Sequence, residues 1–130
     1  DTIRFIEQLG DIQATTYDRQ LLRFEVDHGG ANDALLDRVR TSVEARQDAA
    51  GHDLLAWTLY RLGRPSEAAA EVAAARGLGA DDARLRFHDG AIRLAMGDVD
   101  HGRVLLRSAA DLGPALDPSE RQEVAALLAG

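Results

Sequence analysis

The stretch LGRPSEAAAEVAAARGLGADD, Leu62 to Asp82, opens on a turn glycine, runs through small apolar residues and closes on two more glycines, Gly77 and Gly79. Further along, MGDVDHGRVLLRSAADLGPAL, Met96 to Leu116, has the same layout with few of the same letters. A step of 34 positions carries Gly63 to Gly97, Ala75 to Ala109, Leu78 to Leu112 and Gly79 to Gly113. The same step pairs Ala56 with Gly90, Leu62 with Met96, Val72 with Leu106 and Ala80 with Pro114, so small stays small and large stays large. A fixed period in this range, held by pattern rather than identity, is how stacked helical hairpins are written in sequence.

Composition points the same way. The chain has 130 residues and is 45% hydrophobic, which suits one domain burying about two thirds of its unfolded surface. Aromatics are only 5%, so the core must come from Ala, Leu and Val, which favours closely packed helices over a sheet. The expected fold class is all-α.

The period and its residues resemble the tetratricopeptide repeat, as bacterial proteins carry it. That family's pattern sets a large apolar residue, a small one and a turn glycine ahead of three spaced small or apolar positions. Here these are Leu55, Ala56 and Gly63, then Ala68, Val72 and Ala75; the next unit has Gly90 and Gly97, then Gly102, Leu106, Ala109 and Pro114. Small residues at 56/90 and 68/102 let the two helices of a hairpin approach closely. A looser unit precedes them, with Leu21, Leu22 and Gly29 ahead of Leu35, Val39, Ser42 and Ala45, and one extra residue in the turn Gly29 to Asn32. The resemblance implies a right-handed superhelical α-solenoid. Its parts are a partial repeat over 1–16, repeats over 17–48, 49–82 and 83–116, and a capping helix over 117–130.

The expected helices are Thr2 to Ala14, Asp18 to His28, Asp33 to Arg46, Asp53 to Leu62, Ser66 to Gly77, Asp82 to Met96, Val99 to Leu112 and Ser119 to Ala129. The first lacks a partner, which predicts an omitted loop or helix around Ala14 to Tyr17. At the other end Asp117, Pro118 and Glu120 stand at the N-cap, first helical and capping-box positions of a final helix. Val124, Leu127 and Leu128 form its apolar stripe, with Arg121, Gln122 and Glu123 expected to face water. A start at Asp1 rather than Met suggests a processed or excised piece of something longer.

Several classes of function find no support. A net charge of -7 opposes a phosphate-tracking surface, so nucleic acid is not an expected partner. No run approaches the roughly 18 apolar residues of a spanning helix, so no membrane is expected either, and the expected compartment is cytoplasmic. All the basic side chains are Arg, and Cys is absent, which leaves no disulfide, thiolate or cysteine zinc site. His28, His52, His88 and His101 form no helical ligand pair. The acidic run Asp98 to His101 fails as a calcium loop, since the sixth and twelfth places hold Arg103 and Ala109; Asp98 reads instead as an N-cap and Asp100 as a first-turn carboxylate. No GxSxG elbow or phosphate-binding loop occurs, and helix stops account for the glycine pairs. Neither a cofactor nor a metal is expected, and no enzymatic activity.

In the tetratricopeptide family the first helix of each repeat lines a concave groove. Carried over by register, the groove positions are Arg19, Arg23 and Val26, then Asp53, Trp57, Tyr60 and Arg61, then Arg84, Phe87, Ala91 and Leu94. Trp57 fits two places, groove or core. Some members grip a terminal carboxylate with a set of Lys, Asn and Arg; this chain has Arg23 and Trp57 where the Asn stands and no Lys, so that specificity is not carried over. The resemblance implies a scaffold binding a protein or peptide, and the arginines suit an acidic one. A second reading is self-association through the ends of the stack, giving a homo-oligomer. A third is a metal or acid-base site drawn from His52, Asp53, His88 and Asp89, whose two HD pairs stand 36 rather than 34 apart.

Overall fold

The computed structural model describes residues 2–130, the side chains of 11–17 excepted. Among the described residues all regular structure is helical: α1 (Thr2–Phe24), a π-helical turn (Glu25–Gly29), α2 (Asp33–Ala45), α3 (Ala49–Arg61), α4 (Pro65–Gly77), α5 (Ala83–Ala95), α6 (Val99–Asp111), a 3-10 turn (Gly113–Ala115) and α7 (Pro118–Ala129). No helix of the described residues is long and apolar enough to cross a membrane.

Each helix packs on the next, most extensively α3 on α4 and α5 on α6, while α3 also touches α5. The result is a helical, repeat-like arrangement of hairpins. Its core runs through all of them, from Leu22 and Val26 through Leu36, Val39 and Trp57 to Leu85, Ile92, Leu106 and Val124.

The period is visible in the hydrogen bonds. Gly63 and Gly97, at φ 74° and 87°, end α3 and α5 in the left-handed conformation that favours glycine. At both ends the glycine N–H reaches back to Tyr60 or Leu94, and the following N–H reaches Leu59 or Arg93, a Schellman closure. The starts repeat too: the carboxylates of Asp48 and Asp82 accept from the N–H groups of Gly51 and Leu85, capping α3 and α5.

Gly79 and Gly113 occupy matched positions in sequence but not in structure. After Gly79, the Ala80 N–H bonds the Ala75 carbonyl at 3.2 Å. Pro114, in Ala80's place, has no N–H to give. The chain after α6 therefore turns through the 3-10 bonds Ala115 to Leu112 and Leu116 to Gly113.

The small positions of these two hairpins, α3–α4 and α5–α6, are buried. Ala56 and Ala68 are fully buried. A Cβ added to Gly90 would stand 2.9 Å from the Gly102 carbonyl oxygen, and one added to Gly102 would stand 2.9 Å from that of Gly90.

Three expectations need correction. One helix replaces the two expected over Thr2 to His28: α1 runs unbroken to Phe24, which gives no support to a segment omitted between Ala14 and Tyr17. What those side chains touch lies outside the described residues. Second, α3 begins at Ala49, not Asp53, because Asp48 is the cap. Third, Asp98 stands at the start of α6 but its side chain makes no cap bond; it pairs with Arg93 at 3.2 Å, since the Schellman turn before it brings that guanidinium close.

Arg19 fastens α1 to the α2–α3 corner. Its guanidinium donates to the Ser42 hydroxyl, the Ser42 and Arg46 carbonyls and the Asp48 carboxylate. Burial opposes ionisation of Asp48, but the Gly51 N–H and the Arg19 and Arg46 guanidinium groups outweigh it and hold this carboxyl below its ordinary 3.8. A carboxyl depressed in the fold binds its proton less readily there than in the unfolded chain. Its stabilisation is therefore complete by about pH 5 and is lost as pH falls through the ordinary carboxyl value and on through the folded one. The expected result is a melting temperature that declines between pH 5 and pH 3, with a shallower decline in Asp48→Asn, which retains a capping side chain.

Candidate functional site

The described first-helix face is built by α1, α3 and α5, with α7 laid beside α5. At its centre Trp57 stacks on His88 with ring centroids 4.0 Å apart and on Tyr60 at 4.7 Å, and tilts against Phe87 at 5.0 Å. The Arg61 guanidinium lies 4.6 Å from the Trp57 ring, a cation–π contact. The indole N–H donates to Asp27 at 3.0 Å, so the π-helical turn after α1 closes over it. Trp57 is 2% exposed and Phe87 1%. Both are on the face expected of groove residues, yet both are buried beneath their neighbours.

Beside this cluster is a cleft of about 300 Å³ lined by Arg23, Asp53, Trp57, Asp82, Arg84 and His88. His88 is buried, and its Nδ1 meets the Asp53 carboxylate at 2.6 Å. His88 lines the cleft while stacked on Trp57, and among the described residues no buried side-chain nitrogen or oxygen lacks a partner.

The cleft arginines are held from one side. The Glu120 carboxylate of α7 accepts from Arg84 at 2.7 and 3.2 Å and lies 3.5 Å from Arg23. Glu123, one turn on, pairs with Arg61 at 2.8 Å. The expectation that Glu123 faces water thus gives way to an ion pair. Beyond Glu120 lies a second hollow of about 260 Å³, lined by Asp27, His28, Arg61, Phe87 and Glu123 among others. Burial pushes the Glu120 carboxyl above its ordinary 4.5, helped by the Asp117 charge and opposed by the Asp117 N–H, Arg23 and His88. Burial likewise raises Tyr60, with Glu123 adding to the rise and Arg61 opposing it.

Of the residues expected to line a groove, Arg23, Asp53, Trp57 and Arg84 share the cleft. Tyr60, Arg61 and Phe87 join the aromatic cluster or the adjoining hollow. Val26 and Ala91 are buried in the core, Arg19 is spent on the α2–α3 corner, and Leu94 leans on Gly102 of α6. Of the four residues of the metal or acid-base reading, Asp53 and His88 meet as a pair, while His52 and Asp89 take other partners. His52 pairs with Glu71 at 2.7 Å, Asp53 with His88, and Asp89 with Arg76 and Arg93. The described residues gather no group of three metal-ligating side chains.

Glu120 and Glu123 stand outside the expected groove set, and His88, a candidate only in the metal or acid-base reading, joins it. A signal for the first two exists in the caps: Asp48, Asp82 and Asp117 each start a helix, at nearly equal steps. Read that way, α7 is the next member of the α3, α5 row, and its side chains fall on the same face. No family model matches this chain, and no curated protein or solved structure matches it.

Proposed function

We propose that this chain is a protein-interaction module: a right-handed superhelical α-solenoid of tetratricopeptide-type hairpins that receives an acidic protein segment on its first-helix face. The observation that carries this reading is the cleft itself. In a chain of net charge -7, Arg23 and Arg84 line one preformed hollow with His88, Asp53 and Asp82, beside a buried aromatic cluster. Guanidinium groups bind carboxylates through charge-assisted, often paired hydrogen bonds, and an aromatic floor supplies apolar area. The Asp53–His88 contact positions the imidazole for binding, with no chemistry of its own.

The test is fluorescence anisotropy with a short labelled Glu-Ala peptide, comparing wild type with Arg23→Glu/Arg84→Glu, each checked for helicity. The variant should bind at least about tenfold more weakly, since like charge replaces attraction. Equal binding by both forms would remove the cleft from the account.

A second reading rests on α1, where Phe5 and Ile6 are 60% and 61% exposed. Self-association through that end predicts a sedimentation coefficient that rises with concentration.

A further inference from the structure

We infer that the Glu120 and Glu123 carboxylates of α7 are resident occupants of the groove arginines, and that the partner displacing them is a helix bearing two carboxylates one turn apart. This rests on the groove reading above and names the partner's chemistry. Three of the groove arginines, Arg23, Arg61 and Arg84, are engaged by just two residues of α7, Glu120 and Glu123, at i and i+3. Residues at that spacing lie on the same side of a helix. One helix therefore meets arginines from α1, α3 and α5 at once, and its own fold shows which ligand geometry the face accepts.

The three arginines are only about a third exposed, and Glu120 is buried against them. An incoming acid thus finds its binding groups already in use. Exchange is feasible because α7 is anchored elsewhere: Val124 is buried, Leu127 and Leu128 pack on the core, and the Leu128 carbonyl accepts from Arg103 of α6. The carboxylates can let go of the arginines while the helix stays docked. Glu120 is costly to keep ionised where it sits, so its grip is the weaker for it. Apparent affinity for a partner is the intrinsic affinity multiplied by the fraction of molecules whose arginines are free.

The experiment uses the full chain and a fluorescein-labelled peptide reproducing residues 117–129, with a second peptide in which both glutamates are Gln. Proteins are wild type, Glu120→Gln/Glu123→Gln, and that double variant with Arg84→Glu added. Glutamine keeps the capping box, so α7 stays capped. Glu44→Gln/Asp111→Asn, at exposed positions elsewhere, controls for the change in net charge. The acidic peptide should bind Glu120→Gln/Glu123→Gln about tenfold more tightly than wild type or the charge control, and the Gln peptide should bind neither. Adding Arg84→Glu should abolish the gain.

Equal affinity of the acidic peptide for wild type and Glu120→Gln/Glu123→Gln overturns the resident-occupant inference and leaves the groove reading standing. Tight binding that survives Arg84→Glu places the acid elsewhere and overturns both. Tight binding of the Gln peptide overturns the assignment of two carboxylates as the recognised feature.

Discussion

Replacing Trp57 with Ala should cost about 4 kcal/mol of stability and lower the melting temperature by about 15 °C. The residue is 2% exposed, so nearly its whole ring area returns to water or to a cavity when it is truncated. Its stacking partners lose in turn: His88, Tyr60 and Phe87 all rest on it, and Arg61 lies over it. The Asp27 carboxylate loses the indole N–H that it accepts from. Trp57→Phe separates these losses. It restores most of the ring contact but not the hydrogen bond, so it should recover more than half of the stability. Thermal denaturation followed by circular dichroism measures both variants. A fall under about 1 kcal/mol for Trp57→Ala would mean that the aromatic cluster contributes little beyond its neighbours' own burial.

The second large effect is expected at the closest approach of α5 and α6. Gly90→Val should destabilise by about 3 kcal/mol. Two tendencies compete at this position. A glycine inside a helix is disfavoured by about 1 kcal/mol relative to alanine, so losing it brings a gain from the backbone. Against that, the first added carbon would meet the Gly102 carbonyl oxygen at 2.9 Å and the Leu106 Cγ at 2.7 Å. Neither is the free end of a flexible side chain, so the helices must part, and valine's branches widen the gap further. The clash wins. The same pair of positions in the preceding hairpin, α3 and α4, carries methyl groups, on Ala56 and Ala68, and both are buried. Chemical denaturation of Gly90→Val reads the loss directly, and a variant as stable as wild type would show that α5 and α6 can separate freely.

The pattern from Ala49 to Leu112 was readable because its signals are local. A glycine that must take positive φ, an aspartate that caps, and a small residue at a helix crossing each act within a few positions of chain, and Gly63, Gly97, Asp82 and Gly90 announce themselves. The start of α3 is not legible, because Ala49, Ala50 and Gly51 offer no apolar rhythm to mark Asp48, rather than Asp53, as its beginning. The junction of α1 with α2 was less legible still, since its organisation depends on Arg19 finding partners at Ser42, Arg46 and Asp48. The candidate site was half readable. Register put Arg23, Asp53, Trp57 and Arg84 on one face, and the structure brings them to one cleft. What register could not supply is which distant side chain sits on them, as Glu120 does on Arg23 and Arg84 and Asp27 does on Trp57.

The bridge from Arg23 to Glu120 joins the end of α1 to the start of α7, whereas most packing in this fold is between helices adjacent along the chain. Helices that pack on their sequence neighbours can zip up quickly, because each new contact closes only a short loop. Joining the first helix to the last closes a loop that contains most of the molecule, and its entropic cost is repaid only after everything between is in place. The order of events follows from this: hairpins first, neighbouring hairpins next, and the arginine–glutamate clasp last. The clasp is then also the first connection to open when the chain begins to come apart.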